Sequence, residues 1–182
     1  MRTRDPAGKK AALIDAGLAL AEEAGLGRLS VDKIVSAAGV AKGSFFHHFG
    51  TRAGFLTELH RAFHDRIAER IDDAIAGLPP GRDRLLTATR AYLDGCRADR
   101  AVRALLVEAR AEREILAEVT RRSDQFARLA APDFAALGRA RPAAAARLWI
   151  TMARDVAVAE SGADAVLPEL RTALAEYLDG PG

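Results

Sequence analysis

Lys42, Ser44, His47 and His48 place a long cation, a hydroxyl and two imidazoles within seven consecutive residues, KGSFFHH. A lysine that opens a helix can reach a phosphate or the edge of a guanine. A serine hydroxyl can bond either one. Thirteen positions or so upstream, Ser30 has the side chain of a helix N-cap, and the free amides behind it can hold a second phosphate with Val31 beside the backbone. These groups bind a polyanion rather than cleave a bond.

The elements that must position them can be read from spacing. Val31, Ile34, Val35 and Ala38 fall at i, i+3, i+4 and i+7 behind Ser30, which predicts one apolar stripe on a short helix. Gly39 ends that helix as a left-handed cap, and Val40 is the hydrophobe of the turn. A second short helix is predicted over Lys42–His48, with Phe45 and Phe49 inward. That leaves Lys42, Gly43, Ser44, Phe46, His47 and His48 facing outward. Two short helices joined by a tight turn make a helix-turn-helix, a shape that reaches into a DNA major groove.

The run AGVAKGSFFHHFGTRAGFL resembles the signature of the TetR family of one-component transcriptional regulators, approximately AGVSKGTLYHYFPSKEAL. The likeness covers about a third of the chain, near Lys9 to Phe63. The resemblance implies a backbone approach to DNA at Gly43, a base-proximal His47 and a phosphate contact at His48. Arg52 takes the place of the family's lysine at the start of the next helix, another phosphate position. Two residues depart from the pattern. Phe46 stands where tyrosine is common, so that hydroxyl is absent and the ring packs on a sugar, a thymine methyl or the domain core. Val35 replaces alanine.

Around this motif the predicted architecture is all-α. Helix 1 is expected over Lys9–Ala24, and Thr51 is expected to cap a long helix 4 that ends near Gly77. Further helices are expected near Asp83–Arg97, Arg100–Arg110, Arg113–Leu129, Pro142–Ser161 and Pro168–Leu178, with Leu78-Pro79-Pro80-Gly81 as the clearest linker. The expected domains are residues 1–52, a three-helix DNA-binding unit continuing into helix 4 to about residue 64, and residues 53–182, a helical effector-binding and dimerisation unit.

Composition narrows the function classes. The net charge is only +2, but through His64 nine Lys/Arg face six Asp/Glu, and all four histidines lie there. Positive charge thus gathers where the motif sits. No apolar run approaches the ~20 residues of a membrane span. No secretory signal is visible and Cys96 is the one cysteine, so a cytoplasmic protein is expected. There is no phosphate loop, GxSxG or HExxH, so neither an enzyme nor a cofactor is expected. His60 and His64 stand at i and i+4 without a third ligand at useful spacing, and no metal site is assigned.

The resemblance further implies a homodimeric regulator, a repressor by the family norm, that binds a palindromic double-stranded DNA operator and is released by a small-molecule effector. Candidate effector-lining residues are Phe63, Tyr92, Cys96, Leu106, Phe126, Trp149, Met152 and Asp155, with Arg154 a charged neighbour. Candidate dimer residues are Ala146, Trp149, Ala153, Val156, Ala157, Leu170, Leu174 and Leu178. The competing expectation is a helical dimer that serves mainly as a protein-interaction module.

Overall fold

A computed structural model of the chain describes residues 6–98 and 113–180. Its α-helices are α1 (Pro6–Ala24), α2 (Val31–Ala38), α3 (Lys42–Phe49), α4 (Arg52–Ile75), α5 (Arg82–Ala98), α6 (Arg113–Ala136), α7 (Pro142–Ala163) and α8 (Pro168–Glu176). Short 3-10 turns cover Leu26–Arg28 and Tyr177–Asp179. No strand occurs among the described residues. The expected helix Arg100–Arg110 lies outside them.

The chain forms two compact units. In the first, described residues through Phe63 pack with the opening turns of α6 as far as Glu118. Its core is built on three phenylalanines: the Phe55 ring lies 5.1 Å from Phe45 and 5.0 Å from Phe49. Leu13, Ile34 and Leu59 are almost fully buried in the same unit. Gly17 allows α1 to approach α4, because a Cβ there would stand 2.4 Å from the Phe55 ring. An ion-pair chain crosses this unit. Lys10 Nζ lies 2.6 Å from Glu58, Arg61 lies 2.5 Å from the other Glu58 oxygen, and Arg61 also reaches buried Glu118 at 3.3 Å. Glu58 is held below the ordinary carboxyl value chiefly by the Lys10 hydrogen bond, against the opposing effect of burial.

The second unit takes the remainder of α4, α5, α6 from Val119, α7 and α8. Trp149 on α7 is its centre. The indole N–H donates to Thr89 Oγ1 on α5 at 3.0 Å, and its ring lies 6.2 Å from Phe134 and 6.3 Å from Tyr177. Charge couplings join Tyr92 to Arg154 and Arg97 to Glu160. These partners advance together along both helices, so α5 and α7 run in the same direction.

Helix α6 overturns one expectation. It was predicted to stop at Leu129 but continues through Pro132 to Ala136. Proline forfeits one ladder bond inside a helix, and here tertiary bonds hold the turn that follows it. Arg84 donates to both oxygens of buried Asp133 at 2.7 and 2.8 Å, and the Gly81 N–H adds a third bond at 2.9 Å. At the far end, Glu160 is 1% exposed. It accepts two bonds from Arg171, at 2.7 and 2.8 Å, and one from the Leu167 N–H, at 3.1 Å. This fastens the α7–α8 turn.

Candidate nucleic-acid interface

The α2–α3 pair is set by local chemistry at each end. Ser30 has extended backbone, and its Oγ accepts from the Lys33 N–H at 3.3 Å. Gly39 closes α2 at φ 63°, ψ 38°, a left-handed conformation that costs glycine little. Its N–H and that of Val40 return to the Ser36 and Val35 carbonyls. Thr51 then caps α4 through a 3.0 Å bond from the Gly54 N–H.

Helix α3 turns Phe45 and Phe49 into the core and keeps Lys42, Gly43, Phe46 and His47 exposed. Phe46 is 46% exposed, so of the roles open to it the structure removes core closure. Ser44 and His48 are half-buried, as is Val31 at the start of α2. At Gly43 an added Cβ would meet nothing within 4 Å. Nothing among the described residues requires glycine there, although glycine costs a helix about 1 kcal/mol relative to alanine.

One expected contact is placed differently. The Arg52 guanidinium donates to the Leu26 carbonyl at 3.1 Å and to the Leu29 carbonyl at 3.3 Å. Those carbonyls belong to the turn between α1 and α2, where a cation offsets backbone acceptors. Arg52 therefore braces the motif from within and is not turned outward toward a phosphate.

Two basic residues that spacing alone did not single out also bear on this surface. His48 is held below its ordinary value, first by desolvation, then by the charges of His47, Lys10 and Lys9. The α1 lysines thus act at the C-terminal end of α3. Their sequence signal was the Lys9-Lys10 pair, but only the packing of α1 beside α3 brings it near His48.

The candidate effector and dimer residues are distributed differently from expectation. Ala146, Trp149, Ala153, Val156, Ala157, Leu174 and Leu178 are all buried within this one chain. They form the intrachain core and cannot also be a protomer–protomer surface; of that set only Leu170 is exposed. Trp149 is likewise committed to Thr89 and two aromatic rings. Asp155 is exposed on the outer side of α7 and lines no interior. Phe63 is buried in the first unit, whereas Tyr92, Cys96, Phe126 and Met152 belong to the second. Leu106 lies outside the described residues. Tyr92 and Cys96 do meet: burial, then the Cys96 thiol, raises the phenol well above its usual value, with Arg154 opposing. Among the described residues no group of three or more His, Cys, Asp or Glu could hold a metal. No described helix is long and apolar enough to cross a membrane.

The profile described as bacterial regulatory proteins, tetR family, matches residues 13–59, spanning α2, α3 and the flanking parts of α1 and α4. A solved transcriptional regulator from Rhodococcus sp. RHA1 is 26% identical, with a TM-score of 0.73 over 96% of this chain and 94% of its own. Residues 13–59 carry a tetR-family segment. Over 78 residues it is 40% identical to the transcriptional regulator AcuR of Cereibacter sphaeroides, a match covering 41% of this chain. The chain spans only 36% of the length of the curated relatives it matches. The fold is shared with a second solved regulator: FadR of Bacillus subtilis, solved in complex with stearoyl-CoA, gives a TM-score of 0.74 at 17% identity, over 92% of this chain and 96% of FadR. In TetR-family terms α2 and α3 are the helix-turn-helix.

The lowered His48 value carries a pH prediction. The lowered value favours the neutral form of His48 in the free chain, and an approaching phosphate would favour the charged form. Were α3 to meet DNA phosphates at His48, binding would take up a proton, and affinity is expected to rise as pH falls from 7.5 to 6. Fluorescence anisotropy across that range checks this. His48→Gln should flatten the profile, and an unchanged slope in that variant would assign the proton elsewhere.

Proposed function

We propose that this chain is a DNA-binding transcriptional regulator that occupies a palindromic operator as a homodimer, represses by occlusion, and is released by a small-molecule effector. The observation that carries the reading is the outer surface of α3. Lys42, Phe46 and His47 are exposed beside Gly43, whose open side lets a partner approach the backbone. A lysine there suits a phosphate or guanine edge, and an apolar ring suits a thymine methyl.

Dimerisation falls to the side of α7 and α8 that the core leaves uncovered. Leu148 is 57% exposed and Thr151 and Asp155 follow it on the same side, while Val166 and Leu170 are exposed at the start of α8. Two motifs held one DNA turn apart, ~34 Å, bind adjacent half-sites with added avidity. For the effector, Tyr92, Cys96 and Arg154 supply polar groups within the second unit, with Phe126 and Met152 as apolar walls. FadR, of the same fold, binds an acyl-CoA. The effector acts by population shift, favouring a conformation of the dimer that fits the operator poorly.

The test is fluorescence anisotropy on duplexes enriched from a random-sequence library, against shuffled duplexes, from 50 to 200 mM salt. Lys42→Ala should weaken binding and lower the salt slope by about 0.9, the share of one phosphate contact. Arg52→Ala should instead lower the melting temperature, since two charged hydrogen bonds of ~1.5–3 kcal/mol each are lost. Failure to enrich any duplex would refute the reading and promote the protein-interaction module.

A further inference from the structure

Asp32 and Lys42 stand in the first turns of the two helices of the motif. Lys42 Nζ lies 2.8 Å from Asp32 Oδ1, with the two side chains 55% and 74% exposed. Lys42 also shares a face of α3 with Phe46, four residues on. An acid therefore sits at the edge of a surface otherwise built to receive a polyanion, tied to the cation best placed to meet it.

We propose that Asp32 competes with DNA phosphates for Lys42 and thereby sets the ratio of operator binding to non-specific binding; this rests on the DNA-binding reading above. An exposed ion pair of this kind is worth ~0–1 kcal/mol, so the latch opens readily. The carboxylate is the fixed half, because the first turn of a helix favours an acid. The lysine, on its flexible four-carbon stem, is the half that moves.

While the latch is closed the pair is neutral. It releases no counterion from DNA, and Asp32 repels nearby phosphate. Non-specific binding draws essentially all its strength from phosphate contacts, and a passing phosphate gains little over Asp32 as a partner, so the latch offsets much of what Lys42 would contribute there. On an operator, base-edge contacts hold α3 in place long enough for Lys42 to exchange Asp32 for a guanine edge or phosphate. Operator binding then loses only the small worth of the latch. The acid thus lowers affinity everywhere, but it lowers non-specific affinity more.

The experiment compares wild type, Asp32→Asn, Lys42→Ala and the double variant on enriched and shuffled duplexes between 50 and 200 mM salt, with circular dichroism melts to verify folding. Asp32→Asn should tighten binding to shuffled DNA and steepen its salt slope by about 0.9, an extra loss of about threefold across that range. The gain on the enriched duplex should be smaller, and neither gain should survive in the Lys42→Ala background. An equal gain on both duplexes would overturn the proposal. So would a gain that persists without Lys42, which would make Asp32 a simple repeller. No change in Asp32→Asn, with Lys42→Ala still weakened, would sink this proposal and leave the DNA-binding reading standing. Wild type that binds neither duplex would remove both.

Discussion

Phe45→Ala is expected to unfold the DNA-facing unit at moderate temperature and abolish operator binding. Phe45 is fully buried and its ring meets Phe49 at 5.2 Å and Phe55 at 5.1 Å, so α3 and α4 share it as their common packing surface. Truncating a buried phenylalanine costs about 3–5 kcal/mol, through lost transfer energy and the cavity left behind. A small helical unit holds little stability beyond that amount. Its neighbour supplies the control. Phe46 is half exposed, so Phe46→Ala should leave the melt nearly unchanged. Urea denaturation followed by circular dichroism measures both variants, and equal losses from the two positions would contradict this packing.

Glu160→Ala carries the second large effect, in the other unit. Removing this carboxylate leaves Arg171, among the described residues, with Asp94 at 2.8 Å, and removes the acceptor of the Leu167 N–H. Breaking a buried, hydrogen-bonded ion pair from one side costs about 3 kcal/mol or more. Burial by itself raises the Glu160 value, but the Arg171 hydrogen bonds, the Leu167 N–H and the charges of Arg171 and Arg97 outweigh it and bring the net below 4.5. A depressed carboxyl stabilises the fold above its unfolded value, and that contribution fades as pH falls below 4.5 toward the folded value. Wild type should therefore lose stability on acidification more steeply than Glu160→Gln, which has no charge to lose. Trp149 is the one tryptophan of the chain, and it lies in this unit. Its fluorescence should report the Glu160→Ala transition directly, and should shift far less in Phe45→Ala.

How much of this was legible beforehand depends on the range of the interaction concerned. The bounds of α2 and α3 follow from residues within four positions of one another: the Ser30 cap, the Ile34–Val35 stripe and the left-handed Gly39. The resemblance to the TetR family rested on the same short stretch, because fixed spacings there encode the turn. Arg52 shows where such reading stops. Its place in the motif pointed outward, but its partners, the Leu26 and Leu29 carbonyls, lie more than twenty residues earlier. The Asp32–Lys42 pair escaped notice for a related reason, since its members sit on different helices and meet only once Gly39 has turned the chain.

Helix α7 departs from its expected role for a different reason. It carries apolar side chains on several faces, Leu148 and Met152 as well as Trp149 and Val156, so periodicity alone could not choose the buried side. Thr89, Phe134 and Tyr177 chose it by enclosing Trp149. That burial withdrew five expected dimer residues of α7 into the protein's own core and left Leu148 outside. Helix α6 runs past its expected end at Leu129 and through Pro132, where Arg84 and Gly81 fasten Asp133 just beyond the proline.

By itself the sequence determined that this chain is helical, where the helix-turn-helix begins, turns and ends, and which two phenylalanines close it, because caps, positive-φ glycine and i, i+3, i+4 stripes act within a turn or two of chain. Only the tertiary structure decided which cation faces outward, which side of α7 is free, and which acid holds Lys42. Those outcomes depend on groups 10 to 60 positions apart competing for the same carbonyls, carboxylates and rings, and no local rule ranks such competitors before the chain has folded.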